Sequence, residues 1–139
     1  MKTQQSKQGE EGVIEERGFG PHLTIDGYGC DQEKLTDLDL VFTILDELPE
    51  MINMNKIMPP YVVRYKGVDP LDWGISGIVM IAESHICIHT FPEKNYVSID
   101  IFSCQPFDVD FAYNYFKKAF NFDKIEKHLV MRGKYFPKT

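Results

Sequence analysis

The chain has 139 residues, of which 43% are hydrophobic, and carries a formal net charge of −6. This length predicts a single domain, and the hydrophobic share is large enough for a buried core. The negative charge argues against nucleic acid as a partner, because phosphate binding requires a basic surface. No apolar run approaches the roughly 18 residues of a membrane span, and the N-terminal stretch lacks the apolar segment of a signal peptide.

The first 17 residues differ from the rest of the chain. Residues 1–17 are polar, show no hydrophobic periodicity and are expected to form a disordered tail. Residues 18–139 are expected to form one domain, in which alternating apolar positions predict six strands. These strands are expected at 22–29, 59–67, 76–83, 85–91, 96–104 and 127–133.

Two longer segments have helical periodicity. Residues 31–48 repeat apolar side chains at spacings of three and four, with Asp31 as the N-cap and Pro49 at the end. Residues 107–122 form the second helix, with Phe111, Tyr115 and Ala119 at a spacing of four. Two helices among six short strands predict an α+β fold, a two-layer sandwich with a mainly antiparallel sheet and both helices on one face. The other face needs a cover, so we expect a homodimer that packs through the sheet side.

The stretch IAESHICIHTF, residues 81–91, places reactive groups in an apolar strand. If Phe91 pairs with Tyr96 across the PEKN turn, opposed residues of the two strands point to the same face. His89 then faces Ser98, Cys87 faces Asp100, His85 faces Phe102 and Cys104 falls opposite Glu83. The register therefore predicts one polar sheet face that includes Glu83, and one apolar face that meets the helices.

Two stretches resemble a known family. SGIVMIAESHICIHTFPEKNYVSIDIFSC, residues 76–104, and GPHLTIDGYGC, residues 20–30, are similar to the prokaryotic S-adenosylmethionine decarboxylases that carry a pyruvoyl group. The resemblance implies a proenzyme that cuts itself between Glu83 and Ser84, leaving Ser84 as the pyruvoyl cofactor. That group forms a Schiff base with S-adenosylmethionine, and the product is the aminopropyl donor for spermidine synthesis.

The resemblance also implies a role for each matching residue. Ser84 must attack the carbonyl of Glu83, and such a weak nucleophile needs a base and a hydrogen-bonding partner. His89 matches the histidine that abstracts the proton during ester elimination, and Ser76 matches a second processing residue. Cys104 matches the thiol that protonates the product carbon. No metal ion is expected in this reaction.

Substrate contacts are implied further along the strand. Phe91 matches an aromatic residue that stacks on adenine, and Glu93 matches a carboxylate near the ribose hydroxyls. Residues 62–74 depart from the shorter family members, which have a second aromatic residue in this segment. Trp73 or Tyr65 is expected to replace it. Because of this departure, arginine and ornithine stay open as alternative substrates.

Three cysteines are too few and too scattered for a disulfide framework, which favours a reduced protein in the cytoplasm. Cys30 and Cys87 are interpreted as structural. Two other classes of function compete with the decarboxylase. His85, Cys87 and His89 alternate on one strand and could bind zinc or a similar ion. A non-catalytic binding domain with the same fold is the other alternative.

Overall fold

A computed structural model describes residues 18–137 and contains one six-stranded sheet. In chain order the strands and α-helices are β1 Gly20–Tyr28, α1 Gln32–Leu35, α2 Leu38–Met51, β2 Tyr61–Lys66, β3 Trp73–Ile81, β4 Ser84–Phe91, β5 Tyr96–Ser103, α3 Val109–Phe120 and β6 Lys124–Arg132. The strands lie in the sheet in the order β2-β3-β4-β5-β1-β6, and every neighbouring pair is antiparallel. The α+β fold with an antiparallel sheet is therefore confirmed. The tail expected at 1–17 lies outside the described residues.

The first predicted helix is divided into two. Asp31 caps α1, as predicted, by accepting a hydrogen bond from the main-chain N–H of Glu33. Asp37 then caps α2 by accepting from the N–H of Leu40, and this second cap starts a new helix. The predicted end at Pro49 is also wrong, because α2 continues to Met51.

The second predicted helix is present, but its buried stripe is shifted by one residue. Helix α3 buries Ala112, Phe116 and Phe120 completely, whereas Phe111 is 42% exposed. Tyr115 and Ala119 are only partly buried at the margin of the core. Both stripes have a spacing of four, so periodicity alone could not choose between them.

The sheet has one apolar and one polar face, as predicted. The central part of the apolar face is buried beneath the helices and includes Ile86, Ile88, Val97, Ile99 and Ile101. The register of β4 and β5 is also confirmed, with the pairs Phe91–Tyr96, His89–Ser98, Cys87–Asp100 and His85–Phe102. Within residues 18–137, no helix is long and apolar enough to cross a membrane.

Candidate active site

The Glu83–Ser84 bond lies at the tight turn that joins β3 to β4. Ala82 and Glu83 form this turn, and Ser84 begins β4 opposite Ser103. The main-chain N–H of Cys104 donates a hydrogen bond of 2.9 Å to the carbonyl oxygen of Glu83. Cys104 is therefore next to the Glu83–Ser84 bond, as the register predicted.

The main chain at Ser84 adopts an uncommon conformation. Its φ angle is 156°, in a region that residues with a β-carbon rarely occupy. Such a conformation persists only where the surrounding contacts hold it in place, and it is often found at functional sites. Here the hydrogen bond from Cys104 and the pairing of Ser84 with Ser103 hold the chain on both sides of the bond.

The side chain of Glu83 does not join the polar sheet face, and this part of the prediction is wrong. Glu83 is only 9% exposed, and its carboxylate accepts two hydrogen bonds from Asn55. The turn interrupts the alternation of the strands, so the periodicity that holds from His85 onward does not extend to Glu83. Desolvation by burial raises the pKa of Glu83, but the hydrogen bonds from Asn55 outweigh it and the pKa lies below its usual value.

Ser76 and His89 form a second group of polar side chains. They are directly paired between β3 and β4, and His89 Nδ1 lies 3.0 Å from Ser76 Oγ. His89 is exposed and Ser76 is half-buried, so the imidazole is accessible on the polar face. The structure thus brings together two of the residues that the sequence singled out.

These two groups lie at opposite ends of β4. Ser84 begins the strand and His89 stands five residues further on. At about 3.3 Å per residue, their main chains are roughly 16 Å apart. Within one protomer, therefore, His89 cannot reach Ser84.

The expected substrate residues surround a pocket beside Ser76. The pocket has a volume of about 220 Å³, and its walls include Tyr65, Trp73 and Phe91. The indole Nε1–H of Trp73 donates a hydrogen bond of 3.0 Å to the carboxylate of Glu93. The four predicted substrate contacts are thus grouped at the His89 end of the strand, although Glu93 is not part of the pocket wall.

A network of polar side chains occupies the middle of the polar face. Asp100 Oδ1 lies 3.1 Å from His85 Nε2 and 3.2 Å from His22 Nε2. Arg132 contributes a guanidinium N–H that donates to His22 Nδ1 at 3.2 Å. Arg132 has no acceptor atom, so this bond assigns the proton of a neutral His22 to Nε2, which donates to Asp100.

This network bears on the metal alternative. In the described part of the chain, the side chains that bring ligand atoms within 4.8 Å of one another are His22, His85 and Asp100, not the predicted set of His85, Cys87 and His89. Burial, and then the charge of Asp100, raise the pKa of Cys87 to about 11, which opposes a thiolate ligand. The fold therefore does not assemble the predicted metal set.

Two residues of the site were missed in the sequence. Asn55 lies in the segment after α2, and Arg132 ends the last strand. Neither stands in a motif or at a periodic position. Their contacts with Glu83 and His22 span 28 and 110 residues, and no local pattern predicts such a pairing.

Comparisons with known proteins show which enzymes the chain is similar to. Residues 21–133 match the family model described as S-adenosylmethionine decarboxylase. An S-adenosylmethionine decarboxylase proenzyme of Acidithiobacillus ferrooxidans is 34% identical over 121 residues, which cover 84% of each chain. A proenzyme of the same name from Clostridium botulinum is 35% identical over 116 residues, covering 83% of this chain and 95% of its own.

A solved structure supports the same grouping. The crystal structure of the adenosylmethionine decarboxylase from Aquifex aeolicus has a TM-score of 0.70 and a sequence identity of 28%. The match covers 84% of this chain and 92% of that one.

Proposed function

The chain belongs to the S-adenosylmethionine decarboxylase family, and from this premise we propose that it cuts itself between Glu83 and Ser84 and then decarboxylates S-adenosylmethionine. The observation that carries the proposal is the 2.9 Å hydrogen bond from the N–H of Cys104 to the carbonyl of Glu83. This donor lies where negative charge would develop if Ser84 attacked that carbonyl. The product of decarboxylation is the aminopropyl donor for spermidine synthesis.

Self-cleavage uses the chain's own atoms. The Oγ of Ser84 bonds to the carbonyl carbon of Glu83, the peptide C–N bond breaks, and the hydroxyl proton passes to the released amine. Removal of the Ser84 Cα proton by His89 then breaks the Cβ–Oγ bond and releases the main-chain carboxylate of Glu83, which becomes the C-terminus of the upstream chain. Water hydrolyses the resulting imine of residue 84 to a ketone, with loss of ammonia.

The residues at this position fit the pyruvoyl group that the family implies. Ser84 is half-buried at the start of β4, and after cleavage it would be the first residue of the downstream chain. A pyruvoyl group at this position would supply a ketone, which is the electron-accepting group that decarboxylation of an amino acid requires. Cys104 is partly exposed, and its main-chain N–H contacts Glu83, which supports the proposal that its thiol returns a proton to the product carbon.

Two copies of the chain are needed to complete this site. Because Ser84 and His89 are roughly 16 Å apart along β4, at about 3.3 Å per residue, His89 cannot serve the Ser84 of its own protomer. If the polar faces of two copies pack together, a two-fold axis that lies between the sheets and passes over β4 between Ile86 and Cys87 would bring Ser84 of one protomer toward His89 of its partner. The homodimer is therefore part of the proposed mechanism, and each dimer has two shared sites.

The pocket beside Ser76 is proposed to hold the nucleoside. Phe91 and Trp73 offer ring faces for adenine, and the carboxylate of Glu93, oriented by the indole N–H of Trp73, can accept hydrogen bonds from ribose hydroxyls. The sulfonium cation of the substrate suits aromatic faces and a chain with a net charge of −6. The names of the matched relatives favour S-adenosylmethionine over arginine and ornithine.

The substrate is tested with carboxyl-labelled S-adenosylmethionine, arginine and ornithine in parallel assays. The cleaved protein should release labelled carbon dioxide from S-adenosylmethionine, and the Ser84→Ala variant should release none. Release from arginine or ornithine instead would keep the pyruvoyl chemistry but overturn the proposed substrate.

A further inference from the structure

The surface residue Asn55 contacts the cleavage site through the side chain of Glu83. The main-chain N–H of Asn55 donates to Glu83 Oε1 at 3.1 Å, and its side-chain Nδ2 donates to Oε2 at 3.0 Å. Both oxygens of one carboxylate are therefore bound by one residue. A single residue that binds both oxygens limits the rotation of the Glu83 side chain.

The segment that carries Asn55 is itself fixed to the hairpin. The carbonyl of Asn55 accepts a hydrogen bond of 2.8 Å from the N–H of Ala82, and the N–H of Ile57 donates to the carbonyl of Met80 at 3.1 Å. Lys56 forms an isolated bridge with Ile81. Residues 55–57 thus pair with the end of β3, directly before the Glu83–Ser84 bond.

The burial of Glu83 makes the contact with Asn55 important. A carboxylate removed from water is costly unless hydrogen bonds compensate it. Among the described residues, none of the ion pairs involves Glu83, and its carboxylate accepts hydrogen bonds from the main-chain and side-chain N–H groups of Asn55. Glu83 is therefore held in the turn by Asn55 rather than by a charged partner.

We propose that Asn55 is a positioning residue for self-cleavage, which acts by holding Glu83 so that its carbonyl carbon stays in reach of the Ser84 hydroxyl. The inference rests on the proposed function. Asn55 binds the side chain of Glu83, while the main-chain N–H of Cys104 binds the carbonyl oxygen of Glu83. Together these contacts hold the turn in which Ser84 has a φ angle of 156°.

The restraint concerns the first step of processing. In that step the Ser84 Oγ–Glu83 C bond forms, the C–N bond breaks, and the hydroxyl proton passes to the amine. After cleavage Glu83 is the end of the upstream chain, and its position no longer controls a reacting bond. Loss of the contact should therefore slow cleavage, while molecules that have been cleaved keep the turnover of the wild type.

The test exchanges the donor and the acceptor of the side-chain hydrogen bond between residues 55 and 83. Asn55→Asp sets a second carboxylate against that of Glu83, and we expect about 10- to 100-fold slower appearance of the two chains. The double variant Asn55→Asp, Glu83→Gln restores complementarity, because the new amide at position 83 can donate to the new carboxylate at position 55. The oxygen of that amide still accepts from the main-chain N–H of residue 55. Cleavage in the double variant should return to within about threefold of the Glu83→Gln rate.

Asn114→Asp is the matched control, since Asn114 is exposed on α3 and the same change there should leave cleavage unaltered. Melting temperatures measured in the uncut Ser84→Ala background separate slow cleavage from poor folding. Should Asn55→Asp not fold, Asn55→Ala removes the side-chain donor alone and should still slow cleavage.

If Asn55→Asp, or Asn55→Ala where that variant is needed, is cleaved at the wild-type rate, the proposed role of Asn55 is wrong and the proposed function is unaffected. A double variant that folds but stays as slow as Asn55→Asp also contradicts it. A wild-type chain that never cleaves refutes the proposed function instead.

Discussion

The main-chain N–H of Cys104 donates to the carbonyl oxygen of Glu83 across 2.9 Å, at the turn between β3 and β4. This bond places the thiol-bearing residue beside the carbonyl that Ser84 would attack. The main-chain donor is independent of the side chain, so Cys104 can contribute to cleavage through its N–H and to decarboxylation through its thiol. The two roles can be separated by mutation.

The first prediction is that the purified protein separates under denaturing conditions into an upstream chain of 83 residues and a downstream chain of 56. Ser84→Ala lacks the attacking hydroxyl and should stay whole. Intact mass spectrometry checks both products and shows whether residue 84 has lost ammonia. A wild-type protein that remains a single chain after prolonged incubation would refute self-cleavage.

The second prediction concerns the shared site. His89→Ala and Ser84→Ala should each stay uncut alone, because one lacks the base and the other lacks the nucleophile. Co-expressed with different tags, they should form mixed dimers in which the His89→Ala chain is cleaved by the imidazole of its partner. Denaturing gels that resolve the two tags measure the cleavage of each chain. A His89→Ala chain that stays whole in the mixed dimers would contradict the shared site.

Turnover and cleavage should respond differently to a change at Cys104. Cys104→Ala keeps the main-chain donor, so cleavage should continue, whereas loss of the proton donor should lower kcat by about 10²- to 10⁴-fold. Cys30→Ala is the control, because Cys30 is buried away from the turn and carries no role in the reaction. Equal kcat values for Cys104→Ala and the wild type would remove the thiol from the mechanism.

Substrate affinity should depend on the aromatic pocket. Phe91→Ala removes a ring face and should raise KM about tenfold, with cleavage unchanged. Trp73→Phe keeps a ring but loses the N–H that binds Glu93, so it should raise KM less than Trp73→Ala. Steady-state kinetics with labelled S-adenosylmethionine measure the series. If all three variants have the wild-type KM, the nucleoside does not bind in this pocket.

Stability of the uncut precursor should fall in acid partly through Glu83. The pKa of Glu83 is lowered in the folded state, so the unfolded chain binds more protons than the folded one near its ordinary pKa of 4.5. The stabilisation is present above that value and is lost as the pH falls through the lower, folded pKa. Urea unfolding of Ser84→Ala at a series of pH values should show this loss, and adding Glu83→Gln should flatten it. If Ser84→Ala with and without Glu83→Gln has the same dependence of stability on pH, the Glu83 carboxylate does not contribute to the loss of stability in acid.

The sequence by itself was enough to determine the register of β4 and β5. Two alternating strands joined by a four-residue turn admit one pairing that buries Ile86 and Ile88 while leaving His85 and Cys87 on the polar face, and the structure has that pairing. The opposition of Cys104 and Glu83 follows from the same register. These features depend on short-range alternation and on hydrophobic burial, and both can be recognised from the order of apolar and polar residues in the sequence.

Only the tertiary structure decided where the polar side chains meet. Alternation placed Glu83 on the polar face, but the turn ends the alternation and a surface loop binds its carboxylate through Asn55. The network of His22, Asp100 and Arg132 likewise joins strands that are distant in the sequence. Such hydrogen bonds depend on how closely single side chains approach one another in the folded protein. Unlike hydrophobic burial, these bonds produce no periodic pattern in the sequence.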